Sequence, residues 1–257
     1  QTQLITALGE DAHAGQLRQS CRELGIDVSH SLSVPHARTS TYLCLNDCDG
    51  EVAAAVSDMA IYDALTPAYM RTKIEVLDHA ALVVLDANLP AETVEYLAEN
   101  CKAPLFADPV SVKKAEKLKG ALGSLTALKP NRSEAALLTG VEIRSNADLA
   151  LAADAFFRLG LKNVFISLGA EGVYFNDGQE SGVLPCFPSP VVNTTGCGDA
   201  FIAAAAAGYL NGVGLREMAR MGLAASSICA GAESAVSPAV GMEAIERILN
   251  PPQGQKP

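Results

Sequence analysis

The sequence predicts an α/β fold whose central sheet is mostly parallel. Short apolar runs alternate with stretches of helical periodicity through the middle of the chain. The apolar runs are continuous rather than alternating, which indicates strands that helices cover on both faces. The strand candidates are Ala81 to Leu85, Pro104 to Ala107, Leu125 to Leu128 and Val164 to Leu168. The helix candidates are Pro90 to Cys101, Ser111 to Leu118, Ser133 to Thr139, Ala147 to Leu159 and Phe201 to Asn211.

One segment departs from this pattern and predicts a β-hairpin. From Thr39 to Ser57, two extended runs flank the turn-forming residues Asp47 to Gly50. We interpret this hairpin as a small lid, and an edge hairpin without function is the alternative. An apolar outer face on the lid would allow two copies of the chain to form a homodimer. We expect residues 1–250 to form one core that includes the hairpin, followed by a flexible tail at residues 251–257.

The composition restricts the partners. The 257 residues are 49% hydrophobic and 19% charged, with a formal net charge of −10. An acidic surface disfavours nucleic acids and anionic membranes, and no apolar stretch reaches the ~20 residues of a spanning helix. The seven cysteines are scattered and odd in number, which is typical of a reducing cytoplasm. We therefore expect a cytoplasmic protein with a small-molecule partner. Because the chain begins at Gln1 rather than methionine, we also expect that residues precede it.

Several strand candidates are followed by polar residues, at the sheet edge where open α/β folds bind ligands. These residues are Asp86, Asn88, Asp108, Lys129, Asn131 and the segment Gly169 to Gly172. Any one of them could be a helix cap or a turn residue. As a series, they predict a ligand site at that edge.

The stretch from Asn193 to Ala200 predicts an anion site at the start of a helix. Gly196 and Gly198 allow a tight turn that presents backbone N–H groups at a positive helix end. Asp199 follows in the first turn, where it could accept the proton of an attacking hydroxyl group. A glycine turn with Asp199 as a helix cap is the alternative. The P-loop motif and the third glycine of G-x-G-x-x-G are both absent from the sequence, which disfavours those nucleotide-binding classes.

Four motifs in order resemble the ribokinase-like (PfkB) kinases of carbohydrates and nucleosides. NTTGCGDAF is similar to the family's D-T-x-G-A-G-D signature, and LKPNRSEAALLTG to its K-P-N-x-x-E segment. SLGAEGVYF resembles the strand-turn-strand around the nucleotide, and TALGEDAHAGQLRQSCRELGID the early G-x-D-x-x-G region. The resemblance implies a ribokinase-like three-layer fold with a small β lid. It also implies a kinase that transfers a phosphoryl group from ATP to an alcohol.

Within this family, four segments together look most like the pseudouridine kinases: the hairpin, the DAN tripeptide at Asp86 to Asn88, the DPVS segment at Asp108 to Ser111, and TALKPNRSEA. This resemblance implies that the 5′-hydroxyl of pseudouridine is the acceptor. One alternative is another sugar or nucleoside kinase of the family, such as a ribokinase. The other alternative is a catalytically inactive nucleotide-binding relative.

The family resemblance also implies roles for individual residues. Asp199 would be the catalytic base, and the backbone of Gly196, Cys197 and Gly198 would form the anion hole. The expected contacts to ATP and Mg²⁺ are Asn131, Glu134, Ser167, Gly169, Gly172, Thr194, Ala225 and Ser226. Glu134 would hold Mg²⁺ through a water molecule. The expected contacts to the acceptor are Thr41, Asn88 and Asp199.

A monovalent cation such as K⁺ is a further candidate cofactor, but the sequence departs from the family pattern in three places. Asn193 replaces the first aspartate of the signature, which weakens the expectation of a cation at that loop. Cys197 replaces the central alanine and places a thiol at the helix start. The family's first strand, with its sugar-binding aspartate and the glycine pair that follows, has no counterpart in the sequence. We expect a molecule that truly lacks them not to bind sugar normally.

Overall fold

The structure is a computed structural model that describes residues 1–46 and 52–251. Its strands are β1 (Thr2–Gln3), β2 (Ala7–Leu8), β3 (Ile26–Asp27), β4 (Leu32–Ser33), β5 (Thr41–Asn46), β6 (Val52–Asp58), β7 (Val83–Asp86), β8 (Leu105–Asp108), β9 (Ala127–Leu128), β10 (Asn163–Ser167), β11 (Val173–Asn176) and β12 (Ser181–Leu184). Its α-helices are α1 (Ala12–Glu23), α2 (Pro67–Arg71), α3 (Ile74–Asp78), α4 (Ala91–Asn100), α5 (Val112–Ala115), α6 (Arg132–Thr139), α7 (Asn146–Arg158), α8 (Cys197–Leu210), α9 (Leu215–Ala230) and α10 (Met242–Leu249). Three 3₁₀ helices cover Ala60–Ala64, Glu116–Ser124 and Gly169–Glu171.

The central sheet has six strands in the order β12-β11-β10-β9-β8-β7. The strands from β7 to β10 run parallel, whereas β10, β11 and β12 form an antiparallel meander. The predicted α/β class with a mostly parallel sheet is therefore confirmed. Because parallel strands end at the same edge, Asp86 and Asp108 become register partners as the last residues of β7 and β8.

Helices cover both faces of this sheet and form the outer layers. On one face, Leu118, Leu149 and Phe156 are fully buried between the sheet and the helices α4, α6 and α7. On the other face, the sheet packs on α8 and α9 through Phe165 and Phe201, whose rings contact edge to face with centroids 5.6 Å apart. The continuous apolar strands predicted from the sequence are thus explained by burial on both sides.

The N-terminal part forms smaller sheets beside the central one. Strands β1 and β3 pair in parallel, as do β2 and β4. Asp11 connects this region to the hairpin, because its carboxylate accepts hydrogen bonds from the N–H of Ala14 at 2.9 Å and the N–H of Thr39 at 2.6 Å. These bonds stabilise the ionised form and lower the pKa of Asp11 to about 2. The same side chain is the N-cap of α1.

The predicted hairpin is present, with β5 and β6 antiparallel and Leu43 opposite Val56. Its turn at Asp47 to Gly50 lies outside the described residues, as do residues 252–257 of the expected tail. The side chains of Leu43, Leu45 and Val56 are exposed by 72%, 72% and 74%. The described part of the hairpin therefore presents an apolar surface to solvent.

Some elements differ from the sequence prediction. The helix expected from Ser111 to Leu118 is the short α5, which continues as a 3₁₀ helix to Ser124. The helix expected from Phe201 already begins at Cys197, because Gly196 turns the chain into it with a left-handed φ of 88°. Helices α2, α3 and α10 were not predicted, since runs of five to eight residues are too short for periodicity to identify. Within residues 1–46 and 52–251, no helix is both long and apolar enough to span a bilayer.

Candidate active site

A cavity of about 1360 Å³ lies between the N-terminal strands, β7 and α8. Its wall includes Asp86, Asn88, Asp108 and Asp199. Asp86 and Asp108 end their strands, and Asp199 lies in the first turn of α8. The structure therefore brings together polar residues that the sequence places at separate strand ends and at a helix start.

The start of α8 has the backbone geometry of an anion site. Gly196 is required here, because a Cβ on this residue would overlap the carbonyl oxygen of Ala235. The helical hydrogen bonds begin with the N–H of Ala200, which donates to Gly196 O at 2.9 Å. The N–H groups of Gly198 and Asp199 precede that bond, at the positive end of the helix. The N–H of Cys197 differs, since it donates to Thr194 O at 3.2 Å and closes a turn.

A buried ion pair lies directly behind this helix start. Lys129 Nζ is 3.1 Å from Asp108 Oδ2, and the two side chains are only 9% and 13% exposed. Gly198 leaves room for the pair, because a Cβ at this position would lie 3.1 Å from Lys129 Nζ. A positive charge is therefore held against the first turn of α8. Both residues were predicted at strand ends, but their pairing was not.

The surroundings of Asp199 raise the pKa of its carboxyl group. Burial is the largest cause, followed by repulsion from Asp108, while the positive charge of Lys129 lowers the pKa and Asp86 raises it. The side chain nevertheless remains accessible from the cavity. A carboxylate with a raised pKa that still reaches solvent is suited to accept a proton near neutral pH.

Asn131 and Glu134 form a capping box at the start of α6. Asn131 Oδ1 accepts a hydrogen bond from the N–H of Glu134 at 2.9 Å, and Glu134 Oε2 accepts one from the N–H of Asn131 at 2.8 Å. Glu134 is buried, and that burial raises its pKa. The bond from Asn131 and the charge of Lys129 act in the opposite direction. One oxygen of Glu134 is thus committed to the helix cap.

The carboxylate of Glu134 suits Mg²⁺ only if water molecules and phosphate oxygens supply the other ligands. In the part of the chain that the structure describes, no group of three or more His, Cys, Asp or Glu side chains could hold a metal ion. Mg²⁺ in nucleotide-dependent enzymes keeps several waters and uses one or two carboxylates together with substrate phosphates. A buried carboxylate such as Glu134 therefore fits an ion held through water and phosphate.

The glycine turn after β10 lies next to the start of α6. Gly169 and Gly172 have φ values of 62° and 104°, and a Cβ on Gly172 would overlap the carbonyl oxygen of Leu184. The N–H of Ser167 donates to Pro130 O at 2.9 Å, which joins the turn to the Lys-Pro-Asn segment. Gly172 thus allows close backbone packing against the end of β12, whereas a Cβ on Gly169 would meet open space.

Arg132 fixes the same turn from the side of α6. Its two terminal nitrogens donate to the two oxygens of Glu171 at 3.0 and 2.7 Å. Such a bidentate pair has a defined geometry, although its exposure limits its effect on stability. This contact was not among the predictions made from the sequence.

The acceptor contacts expected from the family resemblance are only partly brought to the cavity. Asn88 reaches the wall, but its amide is held on both sides, by Asp86 Oδ2 at 2.7 Å and by Lys114 Nζ at 2.5 Å. Thr41 is not among the residues that line the cavity; the neighbouring Ser40 is. The Ser40 hydroxyl lies 2.8 Å from the Tyr62 hydroxyl, a polar pair that sequence reasoning missed.

The two α9 residues expected beside the nucleotide have different positions. Ala225 is wholly buried in the apolar cluster that contains Ala204 and Ile245, so its side chain does not face open space. The cause is helical periodicity, which turns this position of α9 toward the core. Ser226 is half-buried, and its hydroxyl donates to Cys197 O at 2.8 Å. Its present contact holds the start of α8.

Comparison with known proteins assigns this chain and its fold to a family. The pfkB family of carbohydrate kinases matches residues 1–240. Pseudouridine kinase from Escherichia coli strain K12 is 34% identical over 237 residues, which cover 91% of this chain and 76% of that protein. A carbohydrate kinase from Agrobacterium tumefaciens is 29% identical, with a TM-score of 0.81 over 96% of this chain and 80% of its own. Arabidopsis thaliana ribokinase, solved with ribose and ATP, is 25% identical with a TM-score of 0.83 over 96% of this chain and 81% of its own.

The chain therefore belongs to the pfkB family of carbohydrate kinases and has the ribokinase-like fold. It is a phosphotransferase that acts on a hydroxyl group of a sugar or nucleoside.

Proposed function

We propose that this kinase transfers the γ-phosphoryl group of ATP to the 5′-hydroxyl of pseudouridine. The observation that carries this proposal is the 34% identity to a pseudouridine kinase across 76% of that protein's length. The cavity, with Asp199 on its wall, supplies the space and the proton acceptor that such a reaction needs.

In the proposed reaction, Asp199 accepts the proton of the 5′-hydroxyl as its oxygen attacks the γ-phosphorus. The new O–P bond forms while the bond to the bridging oxygen of ADP breaks, so ADP leaves with that electron pair. Negative charge on the transferring group faces the N–H groups at the start of α8. The ammonium of Lys129 lies behind Gly198 in this first turn and adds positive charge. Positioning and charge stabilisation thus account for the chemistry.

We propose that ATP lies over the glycine turn and the start of α6. Asn131, Glu134, Ser167, Gly169, Gly172, Thr194 and Ser226 are the candidate contacts. The bridge between Asn131 and Ser167 at one sheet edge supports this placement, and Ser226 contacts the start of α8. Mg²⁺ would neutralise phosphate charge and be held by Glu134 through water. Glu134→Gln should therefore raise the Mg²⁺ concentration needed for half-maximal rate. An unchanged Mg²⁺ dependence would show that Glu134 caps α6 and does not help to hold Mg²⁺.

We propose that the hairpin of β5 and β6 is a lid over the acceptor and also the surface through which two copies pair. Its exposed Leu43, Leu45 and Val56 support a pairing role, since an apolar ribbon in water favours burial against a second copy. Replacing Leu43 and Val56 by serine should shift the chain toward monomer in sedimentation experiments. A monomeric wild type would remove the dimer from this proposal.

A panel of acceptors tests the substrate. With MgATP, kcat/KM for pseudouridine should exceed that for uridine, ribose, adenosine and fructose 6-phosphate by at least about tenfold, or about 1.4 kcal/mol of transition-state binding. The second candidate is ribose, which the likeness to the ribose-bound ribokinase favours. Equal or better use of ribose would overturn the pseudouridine assignment.

A further inference from the structure

The loop before α8 is joined to the segment after α9 by neutral side-chain donors. Asn193 Nδ2 donates to Glu233 O at 3.0 Å, while Asn193 Oδ1 accepts the N–H of Thr195 at 2.9 Å. Cys229 Sγ lies 3.8 Å from Thr195 O and 3.6 Å from Ala235 O. One amide and one thiol therefore lie between the two loops: the amide donates to Glu233 O, and the single S–H of Cys229 faces Thr195 O and Ala235 O.

The orientation of the Asn193 amide follows from its partners. Its oxygen faces an N–H group and its nitrogen faces a carbonyl, so the reverse orientation would place like groups against each other. Backbone carbonyl oxygens in such an arrangement are also the ligands that K⁺ accepts in proteins. In this chain, however, the side chain that joins them contributes hydrogen-bond donors and no negative charge.

This arrangement bears directly on the anion hole. Gly196 follows Thr195 and lies against the Ala235 carbonyl, so the distance between the two loops sets the start of α8. We propose that Asn193 and Cys229 act as a neutral brace in place of the monovalent cation that the family resemblance implies. The kinase then needs no such cation, and the single change Asn193→Asp creates the requirement. The kinetic part of this inference rests on the proposed function.

The expected effect of Asn193→Asp follows from charge. The change replaces the Nδ2 donor by a carboxylate oxygen that faces the Glu233 carbonyl, and two acceptors in contact repel each other. A bound cation would remove that repulsion and reconnect the loops. Among the described residues, Thr195 Oγ1 is buried without a hydrogen-bond partner and adds an uncommitted oxygen nearby.

The experiment compares the wild type with Asn193→Asp in KCl and in tetramethylammonium chloride at equal ionic strength. Wild-type rates and melting temperatures should differ little between the salts, within about twofold in rate. Asn193→Asp should lose about tenfold or more of its rate in tetramethylammonium and regain it with K⁺. Its melting temperature should also rise with K⁺.

Asn193→Ala is the control, because it removes the brace without adding charge. It should lower the melting temperature equally in both salts. A wild type that depends tenfold or more on K⁺, a K⁺ response of Asn193→Ala, or an Asn193→Asp variant indifferent to K⁺ would each overturn the inference. If Asn193→Asp does not fold in tetramethylammonium, folding restored by K⁺ supports it. The melting data decide the question even if no tested acceptor is phosphorylated, so failure of the substrate proposal remains distinguishable.

Discussion

Replacing Lys129 by methionine removes the buried positive charge behind α8 while keeping much of the side-chain length. Because Lys129 and Asp108 are 9% and 13% exposed, the change leaves a carboxylate with little access to water. Breaking a buried pair from one side costs about 3–5 kcal/mol, and a domain of this size loses about 2–4 °C in melting temperature per kcal/mol. We therefore expect Lys129→Met to melt about 6–20 °C below the wild type at pH 7.

The same two residues act on Asp199 in opposite directions. Lys129 lowers the pKa of Asp199 and Asp108 raises it. Lys129→Met should therefore move the acidic limb of the kcat/KM profile to higher pH, whereas Asp108→Asn should move it to lower pH. A purely structural role would not produce shifts of opposite sign.

Stopped or coupled assays of kcat/KM between about pH 5 and 9 measure these limbs, and thermal melts of the single variants and the double variant measure the pair. The double variant should lose less stability than the sum of the single losses, because it leaves no unpaired charge. Limbs that move in the same direction, or stability losses that simply add, would refute the reasoning.

Three further predictions concern neighbouring positions. Asp199→Asn should cut turnover by about 10²-fold or more, measured with saturating MgATP. Because the folded state raises the pKa of Asp199, ionising this carboxyl group destabilises the fold as pH rises. The variant has no such charge and should therefore also melt higher than the wild type at pH 7. Gly196→Ala should abolish most turnover, because the new Cβ would overlap the carbonyl oxygen of Ala235. Gly140→Ala is the control: Gly140 has a φ of 74° in open space, so the change should lower the free energy of unfolding by about 1 kcal/mol and keep turnover. Asp11, with a pKa of about 2, supports the fold above its ordinary pKa of 3.8 and loses that support as pH falls toward 2, so acid melts of Asp11→Ala should show a flatter pH dependence there.

The sequence could predict the fold and the polar sheet edge because both follow from local pattern. Strands buried on two faces appear as apolar runs, and parallel strands bring their carboxyl ends together, so Asp86 and Asp108 share one edge. Gly196 likewise indicates a helix start, because its left-handed backbone favours glycine. Site roles for these residues remain predictions.

The ion pair and the brace could not be predicted in this way. Asp108 ends β8 and Lys129 follows β9, while Asn193 and Glu233 belong to different loops, so no periodicity connects either pair. A lysine in the apolar run TALKP is a signal that it has a buried partner, since an unpaired buried ammonium is costly. Which carboxylate serves as that partner depends on how β8 lies beside β9.

The charge balance of the site also limits which nucleotide species it accepts. Glu134 and Asp199 have raised pKa values mainly because of burial, and each is also raised by Asp108 and lowered by Lys129. When all three carboxyls are ionised, one ammonium cannot neutralise them, and the remaining negative charge repels the phosphates of free ATP. The N–H groups at the start of α8 carry only partial positive charge, so they do not reverse this balance. A divalent cation that arrives with the nucleotide does, because it neutralises phosphate charge beside the carboxylates, and for this reason we propose MgATP rather than free ATP as the phosphoryl donor.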